Sequence, residues 1–353
     1  FLAFGLLGLT VAALVVGLVN SQNFKGAADK DAEAAKTSQA EATRKVLGKV
    51  LSLNDGYLAL IKLRGPITSV PESNSLLGAS DSMAVEVRKA LDKAAEDDKV
   101  KGVLLLVDSP GGTVGMSQEL NKAVIRVKAK KPIVVSMGDV AASGGYYTAA
   151  AADRILANPG TLTASIGVII NTFNAKTLLN DKLGVQAVTV KSGKFKDFLS
   201  PYRASNPEEL ALVQTLVNES YQDFLGAVLR GRTGSLQDPA AKAARTEQIK
   251  AVADGRVVLG SQALKAGLVD ELGDLVRAEE VLRDLTRARF KLAKSVELPL
   301  KDFKQSNPVF EILGLPATES LVKLELPSLP GQAQERLMPF SMRHPNQPLW
   351  VLE

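Results

Sequence analysis

Between residues 102 and 286, short continuously apolar runs alternate with helix-spaced segments, and this alternation restricts the fold more than any other feature of the chain. Gly102-Val103-Leu104-Leu105-Leu106-Val107 has no polar side, and neither does residues 132–137. A strand half exposed to water would alternate, so these runs read as strands covered on both faces, as in a parallel sheet. Residues 116–130 between them have amphipathic helical spacing. Residues 57–63 form an earlier strand-like run stopped by Gly65-Pro66, and residues 82–98 place Val85, Ala90, Leu91 and Ala94 on one helical face. Further strands are expected at 154–157, 166–170 and 185–190, with a helix at 176–183. From Pro207 the pattern turns helical: a long amphipathic helix to Gly231, then shorter ones at 238–253, 261–266 and 275–286. The expected class is α/β with a mostly parallel sheet.

Segments of different character flank this domain, which is expected to span 55–290. Phe1 to Val19 carries no charge, and the first charged residue is Lys25. Nineteen helical residues span about 28 Å, close to the ~30 Å hydrocarbon thickness. The run exceeds a signal-peptide core, and Val19-Asn20-Ser21 is not a small-x-small cleavage site. Residues 1–20 are therefore expected to be a transmembrane anchor, and the Ala-, Lys- and Glu-rich residues 21–54 a helical stalk or linker. Beyond 291 the chain is an irregular tail broken by prolines, yet it holds the apolar clusters Leu337-Met338-Pro339-Phe340 and Leu349-Trp350-Val351-Leu352. A net charge of +5, spread along a chain with few aromatics, offers no nucleic-acid face. The absence of cysteine excludes disulfides and thiolate metal sites. No His, Asp and Glu cluster has metal-ligand spacing, so neither cofactor nor metal is expected.

The chemistry is carried by Ala141-Ala142-Ser143-Gly144-Gly145-Tyr146-Tyr147, where a serine stands between small residues at a strand-to-helix turn. The single histidine, His344, lies in the proline-rich tail and is poorly placed as its base. A lysine is the remaining choice, and Lys191-Ser192-Gly193-Lys194-Phe195-Lys196-Asp197 offers three that spacing leaves nearly indistinguishable. A free lysine has a pKa of about 10.4, so a lysine base must be shifted downward, as burial does. Ser109-Pro110-Gly111-Gly112 ends a buried strand, where α/β sheets place their sites. Backbone N–H groups there and after Ser143 are suited to stabilising an oxyanion. The serine segment is not a G-x-S-x-G elbow, which argues against an α/β-hydrolase.

Together with Leu162-Thr163-Ala164-Ser165-Ile166-Gly167-Val168, Asp254-Gly255-Arg256-Val257 and Gly267-Leu268-Val269-Asp270-Glu271-Leu272-Gly273, these segments resemble bacterial signal peptide peptidase A in its short, single-repeat form. The resemblance covers roughly residues 57–285. It implies a Clp-protease/crotonase-like fold and a Ser–Lys dyad, with Ser143 as nucleophile and Lys196 as general base. It also implies Gly112 and Gly144 as oxyanion donors, and Ser165 as the hydroxyl orienting Lys196. Two positions depart from the family pattern: Ala164 stands where glycine is usual, and Asp139 where a neutral polar residue is commoner. The implied protein is a single-pass enzyme of the bacterial cell membrane, its catalytic domain extracytoplasmic, forming a homo-oligomeric ring. Its implied partners are the lipid membrane and apolar peptides such as signal-peptide remnants. The tail segment Arg336-Leu337-Met338-Pro339-Phe340 is expected either to lie in the peptide groove of its own or a neighbouring subunit, or to pack on the surface of its own core or on a subunit interface. The rival readings are a stomatin-operon-type Ser–Lys protease, a crotonase-fold hydratase, which would have no use for the Ser–Lys pair, and an inactive peptide-binding scaffold.

Overall fold

In a computed structural model, which describes residues 56–71, 81–303 and 349–351, the run at 102–107 forms the middle of strand β2 (Val100–Ser109). Its side chains divide between two cores, as a continuously apolar strand requires. Val103, Leu105 and Val107 enter the larger core, whereas Leu104 points to the opposite face. β2 pairs in parallel with β1 (Tyr57–Arg64) on one side and β4 (Ile133–Ala142) on the other. The intervening helices are α1 (Met83–Glu96) and α2 (Val114–Lys130), reached through the short strand β3 (Gly111–Thr113). Both helices bury apolar stripes in the larger core, α1 through Val87, Leu91 and Ala94 and α2 through Leu120, Val124 and Val127.

Strand β4 is split in its pairing, and the split positions the site. Residues 134–137 pair with β5 (Arg154–Ala157), whereas residues 140–142 pair with β6 (Leu162–Ala164). At the bend between them Asp108 Oδ1 accepts the Val140 N–H at 3.3 Å, and Thr161 Oγ1 donates to the Gly138 carbonyl at 2.7 Å. The short helix α3 (Gly144–Ala149) follows β4 directly. The long helix α4 (Pro207–Thr233) and α5 (Pro239–Lys250) come next, then β7 (Val257–Leu259), α6 (Gly260–Lys265), β8 (Glu271–Leu272), α7 (Leu275–Phe290) and β9 (Leu300–Asp302). The resulting eight-stranded sheet is parallel throughout except where β7 meets β6. Helix α7 covers the second face, with Ala278 and Leu282 against Leu58, Leu104, Val134 and Leu156. A mixed α/β domain with a mainly parallel sheet fits a Clp-protease-like fold, as expected.

Two expectations meet a different outcome, and a third holds in altered form. Residues 185–190 form no strand, and Val188 and Val190 are 87% and 96% exposed. Residues 166–170 hold only an isolated bridge, because Ala164 and Ser165 both turn the chain through positive φ before it can extend. The expected helix at 176–183 forms over residues 176–182 but is underwound, with Leu178–Lys182 a π-turn. The expected anchor at 1–20, the stalk at 21–54 and the tail segment at 336–340 lie outside the described residues. Among the described residues no helix is long and apolar enough to cross a membrane.

Candidate active site

Ser143 occupies a strained turn between β4 and α3. Its φ of 52° and ψ of −119° are rarely adopted by a residue with a Cβ, and such strain persists only where the surroundings over-determine it. Here they do. The Ser143 N–H donates to the Ala164 carbonyl at 2.8 Å, and the Ser143 carbonyl accepts the Tyr147 N–H at 2.8 Å. Two tyrosines then pin the helix. Buried Tyr146 donates its hydroxyl to the Leu268 carbonyl at 2.8 Å, and burial pushes its phenol well above the usual range. Tyr147 packs edge-on against Phe224 of α4, with centroids 5.0 Å apart, and its hydroxyl reaches Asp223 at 3.1 Å. The Ser143 side chain is buried, and its Oγ has no hydrogen-bond partner among the described residues. A buried hydroxyl left unpaired costs free energy, so this oxygen is aimed at a group outside the described residues.

The oxyanion donors expected from the sequence lie side by side. Ile67 brackets β3 on one edge: it donates its N–H to the Gly111 carbonyl and accepts the Thr113 N–H, both at 2.8 Å. Alternation along a strand therefore turns the Gly112 N–H to the other edge. That edge faces α3: a Cβ built on Gly144 would lie 3.2 Å from the Gly112 nitrogen and 2.3 Å from Ser117 Oγ. Only glycine permits this approach. Two backbone donors thus flank the turn that carries Ser143, an arrangement suited to a tetrahedral oxyanion. The same edge of β3 pairs antiparallel with β10 (Leu349–Val351), opposing Trp350 to Gly112. The tail segment described at the site is therefore 349–351, part of the second apolar cluster.

Ser165 lies on the next turn, held by its N–H to the Arg256 carbonyl at 2.9 Å, with φ of 51°. Its hydroxyl makes no hydrogen bond among the described residues. Ala164 has φ of 63°, the left-handed region that glycine adopts without strain. Asp139 is exposed at the bend of β4 and forms no ion pair among the described residues.

Among the described residues, Lys196 makes no hydrogen bond to Ser143 Oγ. It sits among successive turns on an exposed arm, with its N–H donating to the Gly193 carbonyl at 3.2 Å and its side chain unpaired among the described residues. The other two lysines are engaged: Lys191 with Asp197 at 2.6 Å, and Lys194 with Glu208. Arg203 forms a fork on Asp197, with both contacts at 2.9 Å, and also binds Glu209. Hydrogen bonds from Arg203, and then from Lys191, hold the Asp197 carboxyl well below its ordinary range. Glu209 is lowered first by Arg203. Sequence reasoning missed these acidic and basic partners, although Asn206-Pro207-Glu208-Glu209 is a legible capping box, with Asn206 Oδ1 accepting the Glu209 N–H at 2.8 Å.

A cavity of about 830 Å³ lies elsewhere, at the starts of β4 and β5, and none of the expected site residues lines it. Its cations are engaged within the domain: Lys128 donates to the Ala152 carbonyl at 3.1 Å, Arg289 to the Ala129 carbonyl at 3.1 Å, and Arg232 pairs with Asp270 at 2.8 Å. The cleft is accounted for by structure alone.

The profile of peptidase family S49 matches residues 125–289, which include Ser143, Ser165 and Lys196. A Synechocystis protein assigned as a protease is 40% identical over 209 residues, 58% of this chain and 72% of that protein. An Enterococcus faecium protein assigned as signal peptide peptidase SppA is 38% identical over 238 residues, 65% of this chain and 66% of its own length. Protease 4 of Salmonella typhi is 34% identical over 237 residues, 66% of this chain but 35% of the longer relative. With the strained serine turn and its flanking amides, these likenesses identify the chain as a serine peptidase of family S49, related to signal peptide peptidase A.

Proposed function

We propose that this peptidase works through a Ser143–Lys196 dyad completed between subunits of a homo-oligomeric ring, and that it cleaves apolar peptides such as signal-peptide remnants at a bacterial membrane. The observation that carries this reading is the mismatch within one chain. Among the described residues, Ser143 Oγ is buried and unpartnered, while Lys196 stands exposed on an arm without a carboxylate of its own. The arm also presents Phe173, Leu183, Val188 and Val190 to solvent, each more than 60% exposed. Soluble surfaces rarely expose so many large apolar side chains on one segment, so a second copy is its natural cover.

In that arrangement neutral Lys196 takes the Ser143 proton as Oγ attacks the scissile carbonyl, and it later returns the proton to the leaving amine. The Gly112 and Gly144 amides hold the oxyanion, and Ser165 orients the lysine. Substrate adds as an antiparallel strand to the edge of β3, a mode of binding that the pairing with Leu349–Val351 supports. Attachment to the membrane rests on the apolar N-terminal segment and on the resemblance.

Mixing two inactive variants tests the reading. Ser143→Ala and Lys196→Ala should each abolish peptide cleavage. Random co-assembly should restore about a quarter of the sites, those where an intact Ser143 meets a neighbour's intact Lys196. No recovery in verified mixed oligomers would place the dyad within one chain. Wild-type cleavage by Lys196→Ala would remove the lysine from the mechanism, and wild-type cleavage by Ser143→Ala would remove the serine.

A further inference from the structure

Between residues 191 and 209 the arm holds four cations and three carboxylates, and their pairing is selective. Lys191 bonds Asp197, Lys194 bonds Glu208, and Arg203 bonds both Asp197 and Glu209. Lys196 is the one cation of the four left without a carboxylate among the described residues. This is unexpected from proximity, because Asp197 is its neighbour in sequence and consecutive Cα atoms lie only about 3.8 Å apart.

Arg203 accounts for the exclusion. Its Nε and Nη2 reach the two Asp197 carboxylate oxygens at 2.9 Å each, and Nη2 also reaches the Asp197 backbone carbonyl at 3.0 Å. Nη1 donates to Glu209 Oε2 at 2.9 Å and to the Ala204 carbonyl at 3.1 Å. One guanidinium thus grips the side chain and main chain of the residue that follows Lys196. Its other end is fixed to the first turn of α4, where Glu209 is fully buried and closes the capping box on Asn206. Helix α4 in turn enters the core through Phe224, Leu225 and Val228. The turn bearing Lys196 is therefore tied to the rigid domain through Arg203.

We propose that Arg203 is a positioning residue for catalysis: by clasping Asp197 and Glu209 it presents Lys196 in a fixed turn and withholds both carboxylates from its ammonium. This deepens the dyad reading and rests on it. A carboxylate beside a lysine favours the charged form, and a charged lysine cannot accept the serine proton. The clasp has no net charge, with Lys191 and Arg203 against Asp197 and Glu209, so removing one member changes the local field by a full charge of known sign. Other charged groups flank the two halves of the site. They are the Lys194–Glu208 pair on the arm, Asp108 and Asp139 on the Ser143 side, and the Asp254–Arg256 pair beyond Ser165. All stay unchanged in the variants below.

The experiment is the pH dependence of kcat and KM for peptide cleavage, measured on the full chain. Activity should rise with pH along an acid limb as Lys196 loses its proton. Arg203→Gln leaves two carboxylates facing one cation, so the limb should move to higher pH by about half a unit or more. Asp197→Asn leaves two cations facing one carboxylate, so it should move the limb to lower pH. The double variant should return the limb to its wild-type position while kcat stays low, because the turn is no longer gripped. Arg203→Lys, which keeps the charge but not the fork, should lower kcat about tenfold without moving the limb. An unmoved limb, or shifts of the same sign in the two single variants, would overturn the proposal and leave Arg203 a structural residue. Should Arg203→Gln fail to fold, the Asp197→Asn limb decides alone: downward supports the clasp, unmoved or upward overturns it. Lys196→Ala in the same panel separates the two ideas. Retained activity there removes the dyad itself, whereas a dead Lys196→Ala with unmoved limbs removes only the clasp.

Discussion

Gly112→Ala should damage stability and catalysis through one displaced strand. A Cβ on Gly112 would lie 2.0 Å from the Ile67 carbonyl oxygen, 2.6 Å from its carbon and 2.8 Å from the Ile67 nitrogen. All three are backbone atoms, so no side-chain rotation relieves the contact, and β3 must retreat from Ile67 by about 1 Å or more. The retreat stretches the two 2.8 Å bonds between Ile67 and the residues flanking Gly112. Two weakened buried hydrogen bonds at ~1 kcal/mol each, with residual overpacking, amount to roughly 2–4 kcal/mol. For a domain of this size that lowers Tm by roughly 5–15 °C. The Gly112 N–H moves with the strand, and loss of one oxyanion donor costs about 10²–10³ in kcat with little change in KM. Thermal unfolding and steady-state peptide cleavage measure the two effects. Gly115→Ala is the control, since a Cβ there meets nothing within 4 Å, and both Tm and kcat should hold. A folded Gly112→Ala protein with wild-type kcat would show that this amide is not an oxyanion donor. An unchanged Tm would show that β3 does not approach Ile67 so closely.

Two further outcomes are expected. Arg232 is buried against Asp270 at 2.8 Å and the Gly267 carbonyl at 3.2 Å, so Arg232→Met should cost about 3 kcal/mol by leaving Asp270 poorly compensated, and wild-type stability in urea would refute that pairing. The Asp197 and Glu209 carboxyls are held below their ordinary range, chiefly by hydrogen bonds from Arg203, so the stability they contribute is complete above the unfolded-state values near about 4 and is lost as pH falls through the lower folded ones. Hydrogen-exchange protection factors in residues 193–203 should therefore fall below about pH 4 while the core stays protected, and pH-independent protection there would refute it.

What the sequence determined is whatever local period and chemistry can carry. A run with no polar side had to be covered twice, and Leu104 and Leu105 do go to opposite cores. The small residues around Ser143 announced a tight turn, and the paired glycines at 111–112 announced a close backbone approach, which Ile67 supplies. The capping box at Asn206 was equally legible, though its partner across the turn was not. Residues 185–190 have strand composition but form no strand, because a strand exists only when another segment supplies its N–H and C=O partners. Three lysines within six residues were equivalent by spacing and became distinct only through partners. Asp197 and Glu208 each took one, and Arg203 closed over the remaining carboxylate, Glu209, as well as Asp197. Tertiary structure decided those points because each depends on which groups meet across the fold, and Coulombic and hydrogen-bond partners leave no period in the chain that joins them.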